Sequence, residues 1–209
     1  MADHYKYPRT PHLPWSPGST EDDIRKTTLS SFRDHEIVVT EKMDGENTTL
    51  YCDYSHARSL DSRHHSSRDW LKTWHNNFAH SIPVGWRICG ENLYARHSIA
   101  YEKLISYFYG FSIWNEDNFC LSWSETLEWF EILGVQPVKE LYRGPWDEEM
   151  LRDLIIDTDR SEGYVIRVSG EFSYSQFDQY IAKWVRTGHV QTEKHWMHSE
   201  VVPNQLIDS

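Results

Sequence analysis

Three observations predict an α+β fold: short β-branched and aromatic runs, two segments with helical spacing and end signals, and turn residues that favour antiparallel pairing. At the N-terminus, Pro8, Pro11, Pro14 and Pro17 space out an extended or turn-rich arm. The apolar content of that arm predicts that it packs on the domain. Glu36–Thr40 carries Ile37, Val38 and Val39, and Thr48–Cys52 carries Thr49, Leu50 and Tyr51, two strand-like runs. Asp44-Gly45 between them is a hairpin signal, because glycine tolerates positive φ. Ser67–Phe78 reads as a helix, with Trp70, Leu71, Trp74 and Phe78 at helical spacing.

Strands are expected at Trp86–Cys89 and Tyr107–Trp114. A helix follows over Glu125–Leu133, with Ser122 and Glu125 spaced as a capping box and Gly134 as its stop. Another helix starts near Asp147, where Asp147, Glu148 and Glu149 complement the positive end of the helix dipole. Its Met150, Leu151, Leu154 and Ile155 form an apolar stripe. Tyr164–Val168 and Ile181–Arg186 are strand-like, and a terminal helix is expected around Gln191–Glu200.

Composition narrows the functional classes. Among 209 residues, 39% are hydrophobic, and ten Trp and twelve Tyr argue against disorder. No run of about 18 apolar residues exists, so no transmembrane helix is expected. Met1–Lys6 lacks the apolar core of a signal peptide. Cys52, Cys89 and Cys120 form no CxxC pair and read as small core residues. The protein is expected to be soluble and cytoplasmic, without a membrane partner.

The net charge of −11 runs against a nucleic-acid partner until its distribution is considered. Glu116–Arg160 holds twelve acidic residues against four basic ones. Arg58–Lys72 and Lys183–His198 are mildly basic. An anionic substrate is therefore permitted.

Five charged residues stand inside or beside apolar runs: Lys42, Arg58, Glu91, Glu162 and Lys183. Burying such charges is costly unless they are paired or serve a ligand. Lys42 by itself has two readings, a solvated turn charge or a nucleophile held in a pocket.

The ordered set Lys42-Met43-Asp44-Gly45, Gly90-Glu91, Glu162-Gly163-Tyr164-Val165-Ile166 and the Lys183 strand resembles the covalent nucleotidyltransferases: DNA ligases, RNA ligases and messenger-RNA capping enzymes. Asn47 and Glu91-Asn92-Leu93-Tyr94-Ala95-Arg96-His97-Ser98-Ile99 make it most similar to ATP-dependent RNA ligases of phage and bacterial type. The resemblance spans Glu41 to Arg186. It implies a nucleotidyltransferase core (ATP-grasp-like ligase) of antiparallel sheets with flanking helices, over residues 1–186. Residues 187–209 form a short helical tail. The 23 residues after Arg186 are too few for an OB-fold domain.

The resemblance also implies roles. Lys42 attacks the α-phosphate of ATP and becomes lysyl-AMP, and AMP then passes to an RNA 5′-phosphate that a 3′-hydroxyl seals. Glu162 organises Mg²⁺ or Mn²⁺, and Glu91 binds the ribose or supports the metal. Glu41 helps read adenine, Asn47 supports joining, and Phe111 stacks on the base or is plain core. Arg58 and Lys183 hold phosphate oxygens. With partial desolvation, their charge should lower the Lys42 pKa below its ordinary value near 10.4.

One departure concerns the last motif, which usually carries a second lysine two positions on. Here that position is Val185, and strand alternation points Arg186 away from Lys183 unless a bulge intervenes. Whether Arg186 or Lys194 compensates stays open. The histidines His56, His64, His65, His189, His195 and His198 suggest no ligand set and read as exposed. Alternatives to autonomous sealing are a module that needs a protein partner to bind the strand, a non-catalytic nucleic-acid-binding relative, and an enzyme that uses GTP.

Overall fold

The β-branched and aromatic runs fold into strands, but these divide between two sheets. A computed structural model of the chain describes residues 3–61, 65–188 and 201–207. In chain order the strands are β1 (Glu36–Lys42), β2 (Glu46–Leu50), β3 (Ser55–Ala57), β4 (Arg87–Asn92), β5 (Phe108–Trp114) and β6 (Phe119–Cys120). They continue as β7 (Gln136–Pro137), β8 (Glu140–Pro145), β9 (Gly163–Val168), β10 (Phe172–Ser173) and β11 (Ile181–Val185). The helices are α1 (Asp69–Asn76), α2 (Trp123–Leu133), α3 (Glu148–Arg152) and α4 (Phe177–Tyr180). The expected helix at 191–200 lies outside the described residues.

One sheet has the order β11-β9-β1-β8, and the other β10-β6-β5-β4-β2-β3 with β7 beside β5. All pairings are antiparallel except β5–β7. The Asp44-Gly45 hairpin expectation is therefore corrected. β1 pairs with β8 and β9, whereas β2 pairs with β3 and β4, so Asp44-Gly45 carries the chain from one sheet to the other. Gly45 has no positive φ. Its requirement is room, since a Cβ there would lie 2.5 Å from the Asn92 carbonyl oxygen.

The sheets pack face to face. Ile37, Val39, Ile166 and Ala182 of one sheet share a buried cluster with Cys89, Trp114, Cys120 and Phe172 of the other. The outer face of the second sheet, with Leu50, Ile88, Phe108 and Ile113, is covered by Leu71 of α1 and by Phe130 and Leu133 of α2. Cys89 and Cys120 are core residues as expected, and Cys52 is half-buried. Among the described residues, no helix is long and apolar enough to cross a membrane.

Local end signals place α2 as expected. Ser122 and Glu125 form a reciprocal capping box, and Gly134 ends the helix at φ 67°. Asp147 caps α3 by accepting the Met150 N–H (3.0 Å). That helix stops at Arg152, so the expected stripe is cut short: Leu151 is fully buried and Ile155 is 94% exposed.

The N-terminal arm packs on the domain as an addition to the free edge of β11. The Lys183 N–H donates to the Pro11 carbonyl, the Leu13 N–H to the Lys183 carbonyl, and the Gly18 N–H to the Val185 carbonyl. On its other side β11 crowds Gly163, whose φ is 154° and whose Cβ would lie 2.0 Å from the Trp184 carbonyl oxygen. Gly163→Ala is therefore expected to cost about 3 kcal/mol or more, read as a lowered melting temperature.

Candidate active site

Strand ends bring the charged residues together. Lys42 is the last residue of β1 and pairs with Gly163 of β9, so Glu162 sits just before the neighbouring strand. The Lys42 ammonium forms an ion pair and hydrogen bond with Glu162 Oε2. Glu162 is buried, whereas the Lys42 side chain keeps 23% of its surface exposed. From the second sheet, Asn47 of β2 pairs with Glu91 of β4. Glu91 lies inside the strand rather than after it, because β4 runs to Asn92. The Gly45 N–H donates to Glu91 Oε1 (3.2 Å), tying the sheet-to-sheet crossing to the second sheet.

Three carboxylates bias this site. Burial pulls the Lys42 ammonium down, but Glu162, Glu91 and Asp44 together outweigh it and hold its pKa above the ordinary value. This corrects the expectation of a lowered pKa, since the carboxylates beside the amine overcome its burial. Glu91 shows the converse. Burial pushes its carboxyl up, Glu162 and Asp44 add to the rise, and it titrates at about 8 despite Lys42. Lys183 is lowered to about 8, first by burial and then by Lys42, with Arg58 contributing in the same direction.

Arg58, Glu41 and Arg186 border this group, and Phe111 packs against the core. Arg58 follows β3 and is half-buried. Glu41 lies one step before Lys42, near Lys139 and the Ser161 hydroxyl, and burial raises its carboxyl. Phe111 is half-buried in β5, packed against the core and edge-on to Tyr7 at 5.2 Å. Because β11 ends at Val185, regular alternation no longer governs Arg186. Its backbone N–H donates to the Glu162 carbonyl (3.0 Å), and its Nη2 reaches the Ser98 hydroxyl (3.2 Å). The position of the family's second lysine is filled by fully buried Val185, whose N–H donates to Ser16 Oγ (2.9 Å). Lys194 lies outside the described residues.

Residues 35–185 match the family described as RNA ligase, a span that holds Glu41, Lys42, Asn47, Arg58, Glu91, Phe111, Glu162 and Lys183. The chain belongs to the RNA ligase family. The likeness extends to solved RNA ligases. An archaeal ATP-dependent RNA ligase is 17% identical with a TM-score of 0.56, over 77% of this chain and 45% of that one. The Naegleria gruberi RNA ligase with PPi is 19% identical with a TM-score of 0.56, over 81% and 58%. A mutant of the Naegleria ligase with ATP and Mn is 18% identical with a TM-score of 0.54, over 75% and 51%. At these identities the likeness is one of fold, an α+β arrangement of antiparallel sheets with few helices. The chain spans about half the length of these solved ligases. No curated protein matches it.

The site of this RNA ligase family member suits a phosphate-bound divalent cation. Such a cation takes one or two carboxylates from protein and completes its shell with phosphate oxygens and water. Buried Glu162 and half-buried Glu91 can supply them, and among the described residues no cluster of three or more His, Cys, Asp or Glu forms a protein-only cage. Buried Asn47 Oδ1 has no hydrogen-bond partner among the described residues, which suits a ligand-facing role beside Glu91.

Sequence reasoning assigned no role to several residues that complete the site. Buried Asp44 accepts from the Ser98 N–H (2.8 Å), the Ser98 hydroxyl (2.6 Å) and the Ile99 N–H (2.9 Å). Its place in Lys-x-Asp-Gly was the available signal. His12 gave none. It lies buried beside Lys183, bonded to Ser16 (2.8 Å) and lowered to about 4 by burial and by Lys183. His56 is buried against Tyr51 and Tyr54, contrary to the exposed reading. His64, His189, His195 and His198 lie outside the described residues.

Proposed function

We propose that the protein is an ATP-dependent RNA ligase in which Lys42 carries AMP. The observation that supports this most is the Lys42 amine at a strand end, paired with buried Glu162 and faced by Glu91, with Lys183 and Arg58 as nearby cations. The Lys42 amine loses its ammonium proton and attacks the α-phosphorus of ATP. An N–P bond forms, the bond to the β-phosphate oxygen breaks, and pyrophosphate leaves. AMP then passes to an RNA 5′-phosphate, and a 3′-hydroxyl displaces it to form the phosphodiester.

The residues divide this work. Lys183 and Arg58 stabilise charge on the phosphate oxygens, and Arg186 supports them from the end of β11. Glu41 and Phe111 hold the adenine, and Asn47 serves the joining steps. Glu162 and Glu91 hold Mg²⁺ or Mn²⁺, which when bound neutralises phosphate charge. Residues 1–186 form the adenylyltransferase domain and 187–209 its tail.

Incubation with α-labelled ATP and a divalent metal is expected to label the protein covalently, and Lys42→Ala is expected to abolish the label. Wild type that stays unlabelled across metals and pH would sink the reading. The acidic sector, with twelve acidic against four basic residues over Glu116–Arg160, favours a second reading of the later steps. In it a basic partner supplies strand binding, and efficient sealing of nicked duplex RNA by the purified chain removes that requirement.

A further inference from the structure

The segment between β4 and β5, residues 93–107, contains no helix or strand, so its backbone polar groups need partners from elsewhere. Many of them come from residues 201–207. The Arg96 N–H donates to the Val202 carbonyl (2.8 Å), the Gln205 N–H to the Tyr101 carbonyl (2.9 Å) and the Leu104 N–H to the Gln205 carbonyl (3.0 Å). At the centre is Asn204, only 3% exposed.

Asn204 holds both limbs of the segment. On the first limb its backbone N–H donates to the Tyr94 carbonyl (2.9 Å), and its Nδ2 donates to the carbonyls of Leu93 (2.7 Å) and Ala95 (3.5 Å). On the second limb its Oδ1 accepts the Tyr101 N–H (2.9 Å). Its own carbonyl accepts the Tyr107 hydroxyl (3.1 Å).

The part of the segment held this way grips the turn that follows Lys42. The Tyr101 phenol oxygen accepts the Asp44 N–H (2.9 Å), and burial raises the Tyr101 pKa so that the phenol stays neutral. Ser98 and Ile99 donate to the Asp44 carboxylate from the same segment. A chain of contacts thus runs from Asn204 Oδ1 through Tyr101 to Asp44, two residues past Lys42. Its members are far apart in sequence, Asn204 standing 103 positions after Tyr101.

We infer that Asn204 is a positioning residue for Lys42, acting through Tyr101 and Asp44 to fix the turn from which the amine is presented. The inference rests on the reading of Lys42 as the AMP carrier. Positioning acts on the rate of the chemical step, because small displacements of a nucleophile are costly even where the ligand still binds. A merely structural anchor would instead lower the melting temperature and leave the rate of the folded fraction unchanged.

The test uses the full chain and single-turnover formation of the covalent AMP adduct at saturating ATP and metal. Asn204→Ala and Tyr101→Phe are each expected to lower that rate by about tenfold. The ATP concentration for half-saturation should stay within about twofold. Because both substitutions break one chain, the double variant should lie near either single one rather than at their product.

Variants that label at the wild-type rate overturn the inference, as do effects that multiply in the double variant. So does a change confined to ATP affinity or melting temperature. If Asn204→Ala does not fold, Tyr101→Phe decides alone: it removes one hydroxyl, and an unchanged rate overturns the inference. Wild type that never labels overturns the reading of Lys42 and this inference with it. Wild type that labels normally beside two unaffected variants overturns this inference only.

Discussion

Glu162→Gln is expected to lower the maximal rate of AMP attachment by about 10²–10³-fold, the scale of losing a principal electrostatic contact at a reacting phosphate. It should also move the pH dependence of the residual activity towards acid. The wild-type rate should rise with pH through neutrality, because the attacking Lys42 amine must be neutral and its pKa stands above the ordinary value. Burial lowers that pKa, and Glu162 is the leading carboxylate that raises it. Without the Glu162 charge, burial meets less opposition, so Lys42 loses its proton at lower pH. Loss of rate together with an acid shift separates this role from misfolding, which lowers the amount of active enzyme without moving its pH profile. An unchanged pH profile would remove Glu162 as the group that sets the Lys42 proton.

The same pair has a stability consequence. The folded pKa of Lys42 is raised, so its contribution is fully present below the unfolded pKa and is lost only as pH rises through the folded one. At neutral pH the pair is intact. Removing one partner of a buried pair leaves the other uncompensated, at about 3–5 kcal/mol. The partial exposure of Lys42 and the ability of glutamine to accept a hydrogen bond place Glu162→Gln below that range, at about 2 kcal/mol.

What could be read from the chain depended on how local its cause was. The capping box of Ser122 and Glu125 and the stop at Gly134 act within α2, and that helix forms where expected. Lys42, Glu91, Glu162 and Lys183 come within electrostatic reach of one another, Lys42 and Glu162 at strand ends and Glu91 and Lys183 within β4 and β11. Strand partnership was not legible. Asp44-Gly45 looks like a hairpin turn, yet β1 finds longer partners in β8 and β9, and the turn becomes a crossing between sheets. β8 itself, Glu140–Pro145, contains Gly144 and Pro145 and has no clear alternation, and edge strands tolerate such residues. The direction of the Lys42 pKa needed the count of carboxylates beside it, which only the fold assembles. Asn204 belongs to no motif, and its burial depends on a segment about a hundred positions earlier.

Lys183→Met should abolish most activity and stabilise the fold at neutral pH. The ammonium of Lys183 is half-buried and faces Lys42, and its pKa falls from 10.5 to about 8. A base lowered in this way contributes stability that is present above its unfolded pKa and lost as pH falls through the folded value. At pH 7 the wild type therefore carries the cost of a charged, poorly solvated lysine, on the order of 1–3 kcal/mol. Methionine keeps the length of the side chain and removes that charge. The variant should unfold at a higher urea concentration than wild type at pH 7, and the difference should shrink as pH rises past about 8 towards 10. AMP attachment should fall by about 10²-fold or more, because a cation beside Lys42 no longer meets the developing charge on phosphate. A variant less stable than wild type at pH 7 would show that Lys183 is held by its surroundings rather than strained by them. Stability gained as activity is lost would mark the cation as kept for chemistry at the expense of the fold.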